Sequence, residues 1–131
     1  MLGLGKMGGN MAARLIRNGV SVVGYDNNQT VVNQLEETEN LIPASSVKDA
    51  LSKLDEQKIV WMMLPAGEIT ENQIHELVPL LNKGDVIIDG GNSNFKRSVK
   101  MGAMLEENGI GFMDCGTSGG VWGLDNGYCL M

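Results

Sequence analysis

A chain of 131 residues with a formal charge of −6 has room for one hydrophobic core and scatters its ten lysines and arginines, so the cationic face that a nucleic-acid backbone demands is missing. No apolar run approaches the roughly 18 residues that cross a bilayer, and two cysteines, Cys115 and Cys129, with no signal-peptide pattern point to a reducing, cytoplasmic setting rather than a disulfide framework. Eighteen glycines, nearly twice the usual share, gather at residues 3–9, 90–91, 109–111 and 116–127 and mark loops into which backbone must crowd.

Met7, Met11, Leu15 and Ile16 recur at helical spacing ahead of Asn18-Gly19, which predicts a first helix over about 8–18. Val20 to Tyr25 reads as a strand, broken by Asn27-Asn28 before a helix carrying Val31, Val32 and Leu35. Leu41 to Ala44 is a weak strand. Ser46 and Asp49 then have capping-box spacing in front of Ala50, Leu51 and Leu54. Ile59 to Leu64 is a continuous apolar run suited to the middle of a parallel sheet, and Thr70 with Gln73 is expected to cap the helix that follows. That helix shows Ile74, Leu77, Val78 and Leu81 on one face, and Pro79 should kink it or begin a fresh turn. Val86 to Asp89 is the next strand, a helix over about 95–108 stops at Gly109, and Gly111 to Asp114 closes the alternation.

Strands separated by single helices imply βαβ crossovers. The expected fold is α/β: a doubly wound, Rossmann-type parallel sheet with helices on both faces, forming one dinucleotide-binding domain over residues 1–131. A first strand normally gives about five residues before its first glycine, and here only Met1-Leu2 stand there. The first strand is therefore expected to be truncated, leaving backbone groups of its neighbours in need of another partner, and a marginal monomer or a homo-oligomer is anticipated.

Gly3-Leu4-Gly5-Lys6-Met7-Gly8 fits G-x-G-x-x-G at the opening of a helix. The first glycine permits a tight turn, the second lets a pyrophosphate approach the backbone, and the third lets helix pack on strand. The helix N-terminus offers free N–H groups and partial positive charge to phosphate. Asp26 ends the second strand at the distance where a carboxylate accepts hydrogen bonds from the adenosine ribose, and Asn27 and Asn28 follow it. A carboxylate repels a 2′-phosphate and no arginine follows, so NAD is favoured over NADP, although the neighbouring amides leave room for adaptation. Leu64-Pro65-Ala66-Gly67, Asp89-Gly90-Gly91-Asn92-Ser93 and Cys115-Gly116-Thr117-Ser118-Gly119-Gly120 all lie at strand C-terminal ends, the edge where ligands bind in such sheets.

Other residues carry less. His75 stands alone, without a Cys or His partner for a metal, and reads as a surface or boundary residue. Cys115 reads as small core filler, and Met62, Met63, Met101 and Met104 as packing. Trp122, in a glycine-flanked loop, suits either a pocket wall or burial against a further domain.

The motifs Asp89-Gly90-Gly91-Asn92-Ser93, Gly116-Thr117-Ser118-Gly119-Gly120-Val121-Trp122-Gly123-Leu124 and Gly127-Tyr128-Cys129-Leu130-Met131 together resemble 6-phosphogluconate dehydrogenase, of the shorter bacterial type. The opening Gly-Leu-Gly-Lys-Met-Gly-Gly-Asn-Met-Ala is similar to the wider β-hydroxyacid dehydrogenase superfamily. The resemblance implies that Gly3, Leu4, Gly5, Lys6, Met7 and Gly8 hold the pyrophosphate, that Asp26, Asn27 and Asn28 face the adenosine ribose, and that Leu64, Pro65 and Ala66 line the cofactor. It implies that Asn92 touches both nicotinamide and substrate, and that Ser118, Gly119 and Gly120 hold the sugar acid. The expected reaction is oxidation of 6-phosphogluconate at the expense of NAD, followed by loss of carbon dioxide to leave ribulose 5-phosphate. The lysine and glutamate that serve the family as base and acid lie beyond Met131, so no catalytic residue is assigned, and residues 1–131 alone are expected to bind rather than to turn over. Two rival readings are an enzyme for a smaller β-hydroxy acid and a stand-alone NAD-binding module.

Overall fold

The computed structural model describes residues 1–55 and 57–131. In chain order the elements are α1 (Lys6–Arg17), β1 (Val23–Gly24), α2 (Gln29–Glu39), β2 (Ile42–Pro43), α3 (Val47–Ser52), β3 (Ile59–Met62), α4 (Glu68–Leu77), β4 (Val86–Asp89), α5 (Phe95–Glu107) and β5 (Gly111–Asp114). The glycine-rich tail adds β6 (Thr117–Ser118), α6 (Gly123–Asn126) and β7 (Cys129–Leu130).

β1 and β2 pair in parallel, as do β3, β4 and β5 with Ile59 level with Val86 and Val86 level with Gly111. Leu2 joins the two groups by bridging in parallel to Tyr25 on one side and Met62 on the other. The lateral order is thus β2, β1, Leu2, β3, β4, β5, the doubly wound order with the first lane in the middle. Around Leu2 the ladder is complete: its N–H donates to Trp61 O (2.8 Å), its carbonyl accepts from Met63 N (2.8 Å), and Gly3 N donates to Tyr25 O (3.0 Å). A groove of about 300 Å³ lies between the Val20–Val23 stretch and Ile59 with Trp61, with Met1 in its lining.

Both faces are covered. On one, Leu51 of α3, Ile74 and Leu77 of α4, and Met101 and Leu105 of α5 pack against Leu2, Val60, Met62 and Ile87. On the other, Ala12 of α1 and Val32 of α2 pack with Leu4, Val22 and Leu41. The split follows from strand alternation, since consecutive side chains of one strand point to opposite faces.

Several local expectations shift. The first helix opens at Lys6 rather than near residue 8, because Gly5 takes the extended N-cap conformation immediately before it. The second strand shrinks from Val20–Tyr25 to Val23–Gly24, since pairing with Ile42 and Met1 begins only at Val22. Thr70 does not cap α4. It lies inside the helix, 2% exposed, and donates from its hydroxyl to Pro65 O at 2.9 Å, while Gly67 is the cap residue and Glu68 and Glu71 favour the first turn through the helix dipole. Ser46 caps α3 as expected by accepting from Asp49 N, but the Asp49 carboxylate reaches back one residue further, to Ser45 N at 2.8 Å. Pro79 opens a short 3-10 turn, Val78–Leu80. The alternation also continues past residue 114: β6 and β7 form a small antiparallel hairpin enclosing α6.

The start of the β3–β4 pair is fastened by Asp85, a residue 1% exposed. Its two carboxylate oxygens accept from Lys58 N and Asn82 N, each at 2.8 Å. Replacing it by alanine leaves two partly buried N–H groups without their acceptor. Asp85→Ala is expected to lower the unfolding free energy by about 3 kcal/mol, measured by urea denaturation; a change below about 1 kcal/mol would show that water replaces the carboxylate.

Candidate functional site

An open cleft of about 570 Å³ runs along the C-terminal ends of the central lanes, within the range of small-molecule and cofactor sites. Its floor is the glycine loop. Gly3 has φ +86°, and α1 turns back so tightly that a β-carbon on Gly8 would lie 2.0 Å from Gly3 O. Gly5 differs: a β-carbon there would meet nothing within 4 Å, so this backbone faces open space. No side chain caps α1 and no acidic residue occupies its first turn. The N–H groups and partial positive charge of a helix N-terminus are therefore directed to the cleft without a competing anion.

Asp26 closes one end. Its Oδ2 accepts from Leu4 N at 2.7 Å and its Oδ1 from Asn28 N at 2.8 Å, so the carboxylate joins the end of β1 to the glycine loop and keeps its remaining lone pairs for a ligand hydroxyl. Beside it, Tyr25 donates its hydroxyl to Asn27 Oδ1 at 2.9 Å. At the other end stands Asn92, at φ +57°. The turn that places it is braced by Asp89, 2% exposed, which accepts from Gly91 N (2.9 Å) and from the Ser93 hydroxyl (2.5 Å). A β-carbon on Gly91 would come within 2.5 Å of Leu64 O, so glycine lets this loop lie against the end of β3. Asn92 in turn donates to Thr117 O (3.2 Å) and accepts from Thr117 N (3.0 Å), which fixes its amide orientation.

Of the residues singled out from sequence, Gly3, Gly5, Met7, Asp26, Asn27, Leu64, Pro65 and Asn92 line one cleft. Leu4 and Gly8 are buried beneath it. Lys6, Asn28 and Ala66 do not line it, and Asn28 caps α2 by accepting from Thr30 N. Ser118, Gly119 and Gly120 stand outside the lining too, joined to it through Thr117 and Asn92. Sequence reasoning missed Tyr25, Met63, Ile69 and Gln73 as lining. Ile69 and Gln73, four residues apart at the start of α4, carried a readable signal, since such a pair shares one helix stripe. Trp122 is 73% exposed and lies outside the cleft. His75 is exposed, and among the described residues no cluster of potential metal ligands occurs.

The tail lies against α1. Arg14 donates from Nη1 to Leu124 O (2.9 Å) and Asp125 O (3.2 Å), and the Tyr128 ring rests on Gly123. Burial pushes the Tyr128 phenol above its usual pKa, opposed in part by Asn10 and the charge of Arg14.

The family model described as the NAD binding domain of 6-phosphogluconate dehydrogenase matches residues 1–131. The chain belongs to this family. It is 41% identical over 131 residues to YqeC of Bacillus subtilis, provisionally named a 6-phosphogluconate dehydrogenase, and 37% identical to the NAD(+)-dependent, decarboxylating 6-phosphogluconate dehydrogenase of Haloferax volcanii. All of this chain is aligned in both cases, against 43% and 42% of those proteins. The chain thus spans less than half the length of these curated relatives. Among solved structures, 6-phosphogluconate dehydrogenase of Plasmodium falciparum shares the fold at a TM-score of 0.92 and 24% identity, over 99% of this chain and 29% of that one. The 3-hydroxyisobutyrate dehydrogenase of Mycobacterium tuberculosis superposes with a TM-score of 0.82 at 28% identity, over 93% of this chain and 40% of that one.

For this 6-phosphogluconate dehydrogenase-type NAD-binding domain, Asp26 has a structural consequence separable from any ligand. Asp26→Ala removes the acceptor for Leu4 N and Asn28 N at a partly exposed position. The expected loss is about 1 to 3 kcal/mol of unfolding free energy in the absence of any nucleotide; unchanged urea midpoints would mean that the glycine loop does not depend on this carboxylate.

Proposed function

We propose that this chain is the dinucleotide-binding unit of a cytoplasmic, decarboxylating 6-phosphogluconate dehydrogenase that prefers NAD to NADP. The observation that carries the reading is the uncapped N-terminus of α1 opening, at Gly5, into a cleft bounded by Asp26 and Asn92. The residues fit a dinucleotide: bare amides and an open glycine suit a pyrophosphate, and a carboxylate held at the end of β1 suits ribose hydroxyls. When bound, the nicotinamide supplies the hydride acceptor. The chain's own contribution is to bind and orient. The amides of α1 hold the diphosphate, Asp26 the adenosine ribose, and Leu64 and Pro65 form the wall of the cleft.

Asn92 is suited to face both nicotinamide and substrate. Thr117 takes one N–H and one lone pair of its amide, which leaves a second N–H and a second lone pair for ligands at a fixed angle. The same pair of bonds sets Ser118, Gly119 and Gly120 next to that end of the cleft, where a hydroxyl and exposed amides can receive the oxygens of 6-phosphogluconate. The cleft lining offers no lysine or histidine, and no acid or base of the reaction is assigned among the lining residues. The preference for NAD rests on Asp26, whose charge would meet a 2′-phosphate, and agrees with the cofactor in the name of the Haloferax volcanii relative.

Calorimetric titration tests this directly. NAD is expected to bind with a dissociation constant at least about tenfold below that of NADP, since a like charge against the phosphate costs about 1.4 kcal/mol or more. No heat with NAD on folded protein, or tighter binding of NADP, would overturn the assignment.

A further inference from the structure

The segment after β5 has little packing of its own. β6 and β7 pair over two residues each and α6 has four, while Val121, Trp122 and Leu130 remain 55%, 73% and 48% exposed. Beyond the short β6–β7 pairing, much of what orders it comes from outside. On the β4 side, Asn92 holds Thr117 by the two hydrogen bonds described above. On the α1 side, Arg14 Nη1 bridges the carbonyls of Leu124 and Asp125 (2.9 and 3.2 Å), and Asn10 Nδ2 reaches Val121 O at 3.5 Å. Carbonyls in the last turn of a helix have no intrahelical donor, and in α6 every carbonyl is near that end. A guanidinium with its N–H groups in a rigid fork meets this need better than any other side chain. Tyr128 completes the seat, its ring so close to Gly123 that a β-carbon there would fall 2.2 Å from it.

Arg14 does not line the cleft. It projects from the helix whose first turn forms the cleft floor. We propose that Arg14 is a positioning residue that holds the Ser118–Gly120 segment in register with the dinucleotide helix, so that filling the cleft and ordering this segment are linked. The proposal rests on the reading that the segment receives the substrate. α1 is the shared rigid element: a dinucleotide on its N-terminus steadies it, Arg14 passes that constraint to α6, and by linkage an ordered segment favours the bound dinucleotide equally.

Hydrogen exchange of the amides of residues 119–128, with and without saturating NAD, tests the link in wild type, Arg14→Met and Arg14→Lys. In wild type, NAD is expected to slow exchange there. In Arg14→Met, exchange without ligand should be at least about tenfold faster, as expected for losing a charge-assisted bridge to two carbonyls, and the response to NAD should vanish. Arg14→Lys, which keeps the charge and a donor nitrogen but not the rigid fork, should restore part of it. Calorimetric NAD affinity of both variants should fall by no more than the factor by which NAD slows exchange in wild type, since linkage makes the two effects reciprocal and Arg14 touches no part of the cleft. Exchange in Arg14→Met that matches wild type overturns the proposal, as does a variant in which NAD affinity collapses along with the segment, because α1 itself would then have failed. The substrate reading fails separately: in that case 6-phosphogluconate leaves the wild-type segment unprotected while NAD still protects it.

Discussion

Gly8 lies so close to the carbonyl of Gly3 that no side chain fits between them, and this contact fixes where α1 begins relative to the first lane of the sheet. A methyl group at residue 8 would push the helix outward and tilt its N-terminus away from the strand ends. The open backbone at Gly5, the uncapped first turn and the carboxylate of Asp26 would then no longer converge on one volume. The cleft is thus a consequence of a packing constraint, and its chemistry lies mainly in backbone amides whose direction that constraint sets.

The aspartates support the same view. Asp26, Asp85 and Asp89 sit at strand ends, and each carboxylate has both oxygens engaged by neighbouring donors, five of the six being backbone N–H groups and the sixth the Ser93 hydroxyl. They work as staples between a strand and the loop beside it. Asp89, although it opens the motif most diagnostic in sequence, is buried beneath the loop it braces. A carboxylate near a ligand cleft therefore need not be an acid or a base. Here the lining has one carboxylate, already holding two amides, and this suits a surface that binds and orients.

Helix and strand order was legible because parallel strands covered on both faces write apolar runs, as at Ile59–Met62 and residues 86–88, and because glycines punctuate their ends. Both glycine motifs were legible for a physical reason too: Gly3, Gly8 and Gly91 are places where a β-carbon meets backbone. Boundaries were less so. The extent of β1 depends on where its neighbours start to pair, which is a tertiary fact, and the capping role expected of Thr70 gave way to a buried hydrogen bond to Pro65 that local spacing does not encode. Ile69 and Gln73 escape the sequence because the apolar stripe of α4 marks only the face that meets the core, and Gln73 reads there as a capping partner of Thr70.

The tail was the least legible part, and its energetics say why. Residues 115–130 contain neither a helical stripe nor a strand long enough to alternate, so no periodicity announces an element. Their structure depends on donors and surfaces contributed by residues far away in sequence: Asn92, Arg14, Asn10 and the outer face of α1. A segment whose order is supplied from elsewhere sits at the low end of the local-stability scale. That is the end from which binding loops are drawn, since a loop already held by its own core could not respond to what arrives beside it. The tail can be ordered by its neighbours because its own short hairpin and the Tyr128–Gly123 contact supply only part of its order.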